Sequence, residues 1–192
     1  MPCSTICRRL WPCAVPCGAS NNHSRPPGRP CLTPDRHNRR LNLVAEIRAA
    51  EPAESDALTE LHRRSSWIWE EDHAFFEEHP EVFGVSAEAL AERRVRVAVD
   101  AQGERLGFAT ISPREDGACE LDDLFVEPEA MRNGVGRALV EDAGACARRL
   151  GDGRMTVVAG ERTLPFYEPL GFVVREEVPT QFAPALRLWR DA

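Results

Sequence analysis

The sequence contains no lysine; all 24 of its basic residues are arginine. That pattern reflects coding bias, and we draw no chemistry from it. No run approaches the roughly 20 apolar residues that a membrane-spanning helix needs, which excludes a spanning role. No Cys-x-x-Cys pair occurs. Five of the seven cysteines (Cys3, Cys7, Cys13, Cys17 and Cys31) fall in the first 31 residues, at spacings that match no common zinc module. Neither a metal nor a membrane is therefore expected as a partner. The odd cysteine total points to a reducing compartment, hence to the cytoplasm. Tyrosine occurs once, at Tyr167.

What is present is spread unevenly. Residues 1–40 hold seven of the 24 arginines and one of the 31 acids, Asp35, so the remainder carries a net charge near −13. Such a field repels phosphate backbones and attracts cationic small molecules, so nucleic acid is not an expected partner. The opening segment is rich in Pro, Arg and Cys and lacks apolar periodicity; it reads as a disordered leader over residues 1–42. Pro12 and Pro16 cut its short apolar stretch, a poor fit to a signal peptide. With 192 residues, the chain has length for one ordinary domain, placed at 43–192.

Within it, Leu43, Ala45 and Ile47 alternate as in a strand. Pro52, with Glu51, Glu54 and Asp56 around it, opens a helix whose face carries Leu58, Leu61 and His62. The aromatic and acidic stretch that follows breaks at His79-Pro80 and predicts two short helices, the second capped by Ser86. "VRVAVD", "RLGFATIS" and "ACELDDLFVEP" then read as an antiparallel meander with short turns. A long helix presents Leu139, Ala143, Cys146 and Leu150 as an apolar stripe, with Arg137 and Glu141 pairing outside it. Gly151 and Gly153 end that helix. "RMTVVA" is a strand, Thr163 caps a short helix ended by Gly171, and "FVVREE" and "ALRLWR" form a closing pair. The predicted order is β-α-α-β-β-β-α-β-α-β-β. It describes an α/β fold, one mixed and mostly antiparallel sheet with helices on both faces.

The functional question sits in "EPEAMRNGVGRALVEDAG", where Gly134 and Gly136 head the long helix. A Walker loop needs Lys-Ser or Lys-Thr after its last glycine, and Arg137-Ala138 stands there instead. A dinucleotide fingerprint needs a third glycine where Leu139 stands. Glu161 sits where a ribose-binding acid would, but the antiparallel strands upstream oppose that reading. The remaining readings are a pyrophosphate cradle and a loop that uses glycine for conformation alone. A cradle follows from the unpaired amides and dipole of a helix start, with Arg132 and Arg137 flanking it.

In these residues the chain resembles the GCN5-related N-acetyltransferase (GNAT) superfamily, over about residues 43–192. The resemblance is carried by "LFVEPEAMRNGVGRALV", like the family's strand and [Arg/Gln]-x-x-Gly-x-Gly/Ala loop, and by "FYEPLGF", like its second signature. It implies acetyl-CoA as acyl donor and no metal. Met131, Arg132, Asn133, Gly134, Val135, Gly136 and Arg137 would surround the pyrophosphate. The main chain of Leu124, Phe125 and Val126 would pair with the pantetheine arm, and Phe166 would join the cofactor side. Two positions depart from the family: Met131 replaces the usual Arg or Gln, and "AGERT" stands where many members have Asn.

Moving an acetyl group from a thioester to an amine poses two proton problems. An ammonium with a pKa near 10.4 must lose a proton to a base, and a thiolate with a pKa near 8.5 leaves faster when protonated. The resemblance gives Tyr167 the acid's role and Glu120 the base's, with a water relay as the alternative. Strand alternation puts Glu120 and Asp122 on one face with Leu124 and Val126, and Asp123 opposite; Asp122 would draw in a cationic amine. Trp67, Trp69 and Phe76 are candidate substrate walls, facing "EVPTQFAPAL", with core packing as their alternative. The expected activity is acetylation of a primary amine, in a small molecule, by direct attack in a ternary complex. The alternatives are a protein N-terminal acetyltransferase, a non-catalytic acyl-CoA-binding module, and a nucleotide-dependent oxidoreductase. The resemblance allows a monomer or a homodimer.

Overall fold

A computed structural model describes Val44, residues 46–180 and residues 184–191. The expectations for the leader, Leu43, Ala45 and the tip of "EVPTQFAPAL" lie outside the described residues. Among the described residues, seven strands make one sheet: β1 (Glu46–Ala49), β2 (Val95–Val99), β3 (Arg105–Pro113), β4 (Cys119–Val126), β5 (Arg154–Ala159), β6 (Val173–Val178) and β7 (Ala185–Asp191). Their order is β1-β2-β3-β4-β5-β7-β6. Every neighbouring pair is antiparallel except β4 with β5.

The helices are α1 (Ser55–Ser66), α2 (His73–Glu78), α3 (Ala87–Ala91), α4 (Val135–Leu150) and α5 (Leu164–Tyr167). Three of them lie between β1 and β2: the helix expected after Pro52 and the two short helices expected on either side of His79-Pro80, where the predicted order counts only two helices in all. His79-Pro80 separates α2 from α3, since Pro80 has no N–H to continue a helix. Ser86 caps α3 as expected, its hydroxyl accepting from Ala89 N at 3.2 Å.

Helices cover both faces. On one face α4 places Leu139, Val140 and Ala143 against Ala109, Ile111, Leu121, Leu124 and Val126. On the other, Leu58 and Leu61 of α1 and Leu90 of α3 meet Val97, Phe108 and Phe125. The predicted stripe on α4 holds for Leu139, Ala143 and Cys146, but Leu150 is 51% exposed. It occupies the final turn, beside the Gly151 cap, where Arg148 and Arg149 are exposed as well. Glu54 anchors the start of α1. Its buried carboxylate accepts from Arg48 at 2.7 and 3.0 Å and from Arg105 at 2.8 Å, and these bonds hold its pKa down at about 2. No helix among the described residues is long and apolar enough to cross a membrane.

Candidate active site

Two parallel strands that stop pairing leave backbone groups facing open space. β4 pairs with β5 only at Cys119↔Met155 and Glu120↔Thr156. Beyond that point β4 stays on β3 as far as Val126, while β5 stays on β7 as far as Ala159. The sheet therefore splits towards the C-terminal ends of both strands.

A bulge sits at the split. Thr110 opposes Asp123 and Ile111 opposes Leu121, so Asp122 is an extra residue in β4. One inserted residue reverses the alternation on its N-terminal side. Cys119 and Leu121 therefore share the α4 face with Leu124 and Val126. This corrects the strict alternation expected from the sequence: Glu120 lies on the opposite face, the α1 side, together with Asp123.

Past the strand, Pro128 opens a short turn and the loop reaches α4 through Arg132 and Gly134, both with positive φ, at 64° and 87°. Gly134 is the N-cap of α4, and no side chain caps the helix. Ala138 N is the first amide to turn back into the helix, onto Gly134 O at 2.9 Å. The helix dipole adds positive potential where the preceding amides point. The two glycines serve different ends. A Cβ on Gly134 would meet nothing within 4 Å, so its backbone conformation is what excludes other residues. A Cβ on Gly136 would lie 3.2 Å from Phe166 Cζ, so this glycine seats the Phe166 ring.

The result is a groove of about 310 Å³ lined by Val126, Met131, Arg132, Gly134, Gly136, Arg137, Pro165, Phe166, Pro169 and Leu170. Seven of the eleven residues expected on the cofactor side line it. The other four take different places. Phe125 packs on the α1 face, Leu124 and Val135 are buried in the α4-side core, and Asn133 Nδ2 donates to Met131 O at 3.1 Å. Arg137 pairs with Glu141 at 4.0 Å, as the sequence predicted. An uncapped helix start with open space over Gly134 fits a diphosphate, and Met131 lines the groove without filling it.

Tyr167 is buried one residue beyond Phe166, edge-on to Phe166 at 5.0 Å and to Phe172 at 5.3 Å. Thr163, read as the cap of α5, instead donates its hydroxyl to Gly160 O at 2.7 Å and makes no side-chain cap. Glu120 is 3% exposed; its Oε2 accepts from Arg114 Nη1 and lies 3.8 Å from Arg187 Nη1. Two guanidinium groups thus flank this carboxylate.

A family model described as an acetyltransferase (GNAT) domain matches residues 91–174. The peptidyl-lysine N-acetyltransferase YjaB of Salmonella typhimurium is 30% identical over 142 residues, which cover 71% of this chain and 90% of that protein. The chain belongs to the GNAT family. A glucosamine 6-phosphate N-acetyltransferase of Trypanosoma brucei brucei is 36% identical over 56 residues, 29% of this chain and only 38% of that protein. Among solved structures, the PaiA N-acetyltransferase of Thermoplasma acidophilum, in complex with coenzyme A, superposes with a TM-score of 0.60. It shares 19% identity, over 77% of this chain and 98% of that one, and so supports the fold.

The other side of this GNAT sheet split is framed by the segment from α1 to α2. Phe76 is buried against Phe75 and Phe83, at 5.8 and 5.1 Å, which is the packing alternative and not a wall. Trp67 is 38% exposed, stacked on His73 at 4.6 Å. It lines a second groove with Arg63, Arg64, Ile68, Pro128 and Glu129, which shares no residue with the first. Trp69 lies under Arg162, whose guanidinium carbon is 4.1 Å from the ring centroid. Arg162 also pairs with Glu71, and with Asp72 at 3.0 Å. Burial pushes the Arg162 pKa down and the Asp72 pKa up. Sequence reasoning missed this clasp between the end of β5 and the α1–α2 segment, because its partners are 90 residues apart. Among the described residues, no cluster of three or more His, Cys, Asp or Glu is placed to hold a metal.

Proposed function

We propose that the chain transfers an acetyl group from acetyl-CoA to a primary amine by direct attack with both substrates bound. One observation carries this reading: a single groove joins the uncapped start of α4 to Val126 at the open end of β4. It offers amides to a diphosphate at one end and, to an amide-bearing arm at the other, a strand edge that β5 has left.

Acetyl-CoA supplies the activated thioester carbonyl. The chain's own groups do the rest. The first amides of α4 bind the diphosphate, with Arg132 and Arg137 at its flanks. The main chain of Leu124–Val126 aligns the pantetheine arm, and Phe166 walls the groove. Tyr167 donates a proton to the departing thiolate. The amine's proton leaves through water and not straight to Glu120, since Glu120 Oε2 is already taken by Arg114. The acceptor is a small cationic amine, favoured by the acids Glu70, Glu71 and Asp72 beside Trp67 and Trp69. The Salmonella relative's action on peptidyl-lysine favours a second acceptor, a lysine side chain of a protein.

Release of free thiol from acetyl-CoA tests the reading across polyamines, amino acids, aminoglycosides, lysine peptides and N-terminal peptides. At least one primary amine is expected to release thiol. Tyr167→Phe is expected to lower kcat by about 100-fold and leave coenzyme A affinity unchanged. Coenzyme A binding with no release across the whole panel would make the chain a non-catalytic acyl-CoA module.

A further inference from the structure

Along an extended strand, successive amides point to opposite sides. Glu127 N, next after β4, donates to Leu106 O at 2.9 Å, towards β3. Val126 N–H therefore points the other way, into the split that β5 has left. A buried amide there needs an acceptor. It donates to Ser65 Oγ, on the last turn of α1, at 3.3 Å. Arg64 Nε donates to Glu127 Oε2 at 3.0 Å beside it, docking the end of α1 on the end of β4.

A second observation concerns the same turn. Ser66 Oγ and His62 Nδ1 are buried, in residues 2% and 4% exposed, and neither has a hydrogen-bond partner among the described residues. The His62 ring stacks on Phe125 at 3.8 Å, and burial pushes its pKa down to about 4, so it is neutral. Orphan polar atoms in a native interior call for an explanation. Here one of them belongs to the ring stacked on Phe125, and the other to the residue next to Ser65, beside the stretch of β4 whose main chain the acetyl-CoA reading assigns to the pantetheine arm.

We propose that the Ser65 hydroxyl is a built-in stand-in for the acyl donor: it holds the Val126 amide in the free chain and surrenders it to an amide carbonyl of the pantetheine arm. The inference rests on the acetyl-CoA reading above. Binding then exchanges one hydrogen bond for another, so the contact with Ser65 opposes binding. Removing the hydroxyl leaves the amide unsatisfied only in the free protein, which favours the bound state.

Titration calorimetry with coenzyme A on the full chain is the test. Ser65→Ala is expected to lower Kd by about three- to tenfold, the range set by the net worth of one hydrogen bond. Ser65→Thr, which keeps the hydroxyl, is expected to match wild type. In hydrogen exchange, the Val126 amide of Ser65→Ala exchanges faster than wild type without ligand and equally with coenzyme A bound. Should the alanine chain not fold, Ser65→Cys, with a weaker acceptor, carries the same expectation at smaller amplitude. A Kd for Ser65→Ala that is unchanged or raised, with wild type binding normally, overturns this inference alone. A wild type that does not bind coenzyme A at all overturns the acetyl-CoA reading with it.

Discussion

The two sides of the split sheet are built from different material. On the α4 side the offered groups belong to the main chain: helix amides, two residues with positive φ, and a strand edge. On the α1–α2 side they belong to side chains, and those side chains are engaged with one another. Phe76 is in the core, Trp69 lies beneath Arg162, and Glu71 and Asp72 are paired with the same arginine. The contrast explains why Met131, in place of the family's usual Arg or Gln, leaves the groove intact. A backbone cradle survives a side-chain change at its rim, whereas a side-chain cage is redefined by each substitution.

The strongest blow to the backbone side falls at Gly134. Valine is a steric outlier at φ near 87°, so Gly134→Val is expected to lose both folding stability and coenzyme A affinity, the latter by about 100-fold. Asparagine tolerates that conformation. Gly134→Asn is therefore expected to lose much less Tm than valine while its side chain enters the groove and weakens affinity by about 30-fold. An Asn variant that binds coenzyme A as wild type does would place the diphosphate elsewhere.

The contrast between the two sides also governs what could be read in advance. The strands, the loop and α4 announce themselves through local patterns: alternation in "VRVAVD", Pro128 after an apolar run, and glycine at a helix start. The bulge at Asp122 does not, because an extra residue exists only relative to the register of β3. Its omission turned Glu120 to the wrong face. Leu150 fits the helical period but sits in a last turn where residues 148–150 are all exposed, and a repeat does not say where burial stops. The Ser65–Val126 bond and the Arg162 clasp join residues 61 and about 90 positions apart. Nothing local in either segment hints at them. Backbone chemistry was legible because it is written in glycine and proline; the acceptor side was not, because it depends on which distant side chains meet.

Next in size is Arg162→Ala. Removing the guanidinium uncovers the Trp69 ring and frees Glu71 and Asp72, so the acceptor-side segment loses its tie to the end of β5. The KM for the acceptor amine is expected to change by about tenfold while coenzyme A affinity stays within twofold. Steady-state kinetics on the amine, alongside calorimetry on coenzyme A, separates the two. If coenzyme A affinity falls in step with the acceptor's, the sides are one coupled unit and the comparison fails.

The smallest effect belongs to Gly136→Ala, and it probes a point where the backbone side leans on a side chain. The added Cβ would sit 3.2 and 3.3 Å from the Phe166 ring and 3.7 Å from Val126 Cγ2. The last contact is ordinary, while the first two require the ring to yield by a few tenths of an ångström. Alanine is the best helix former, and position 136 is already helical, so folding stability is not expected to fall. Because Phe166 lines the groove, its displacement is expected to weaken coenzyme A by about threefold, a shift of about 0.7 kcal/mol. A loss as deep as that at Gly134 would mean that Gly136 also makes room for the ligand, and that the two glycines serve one purpose after all.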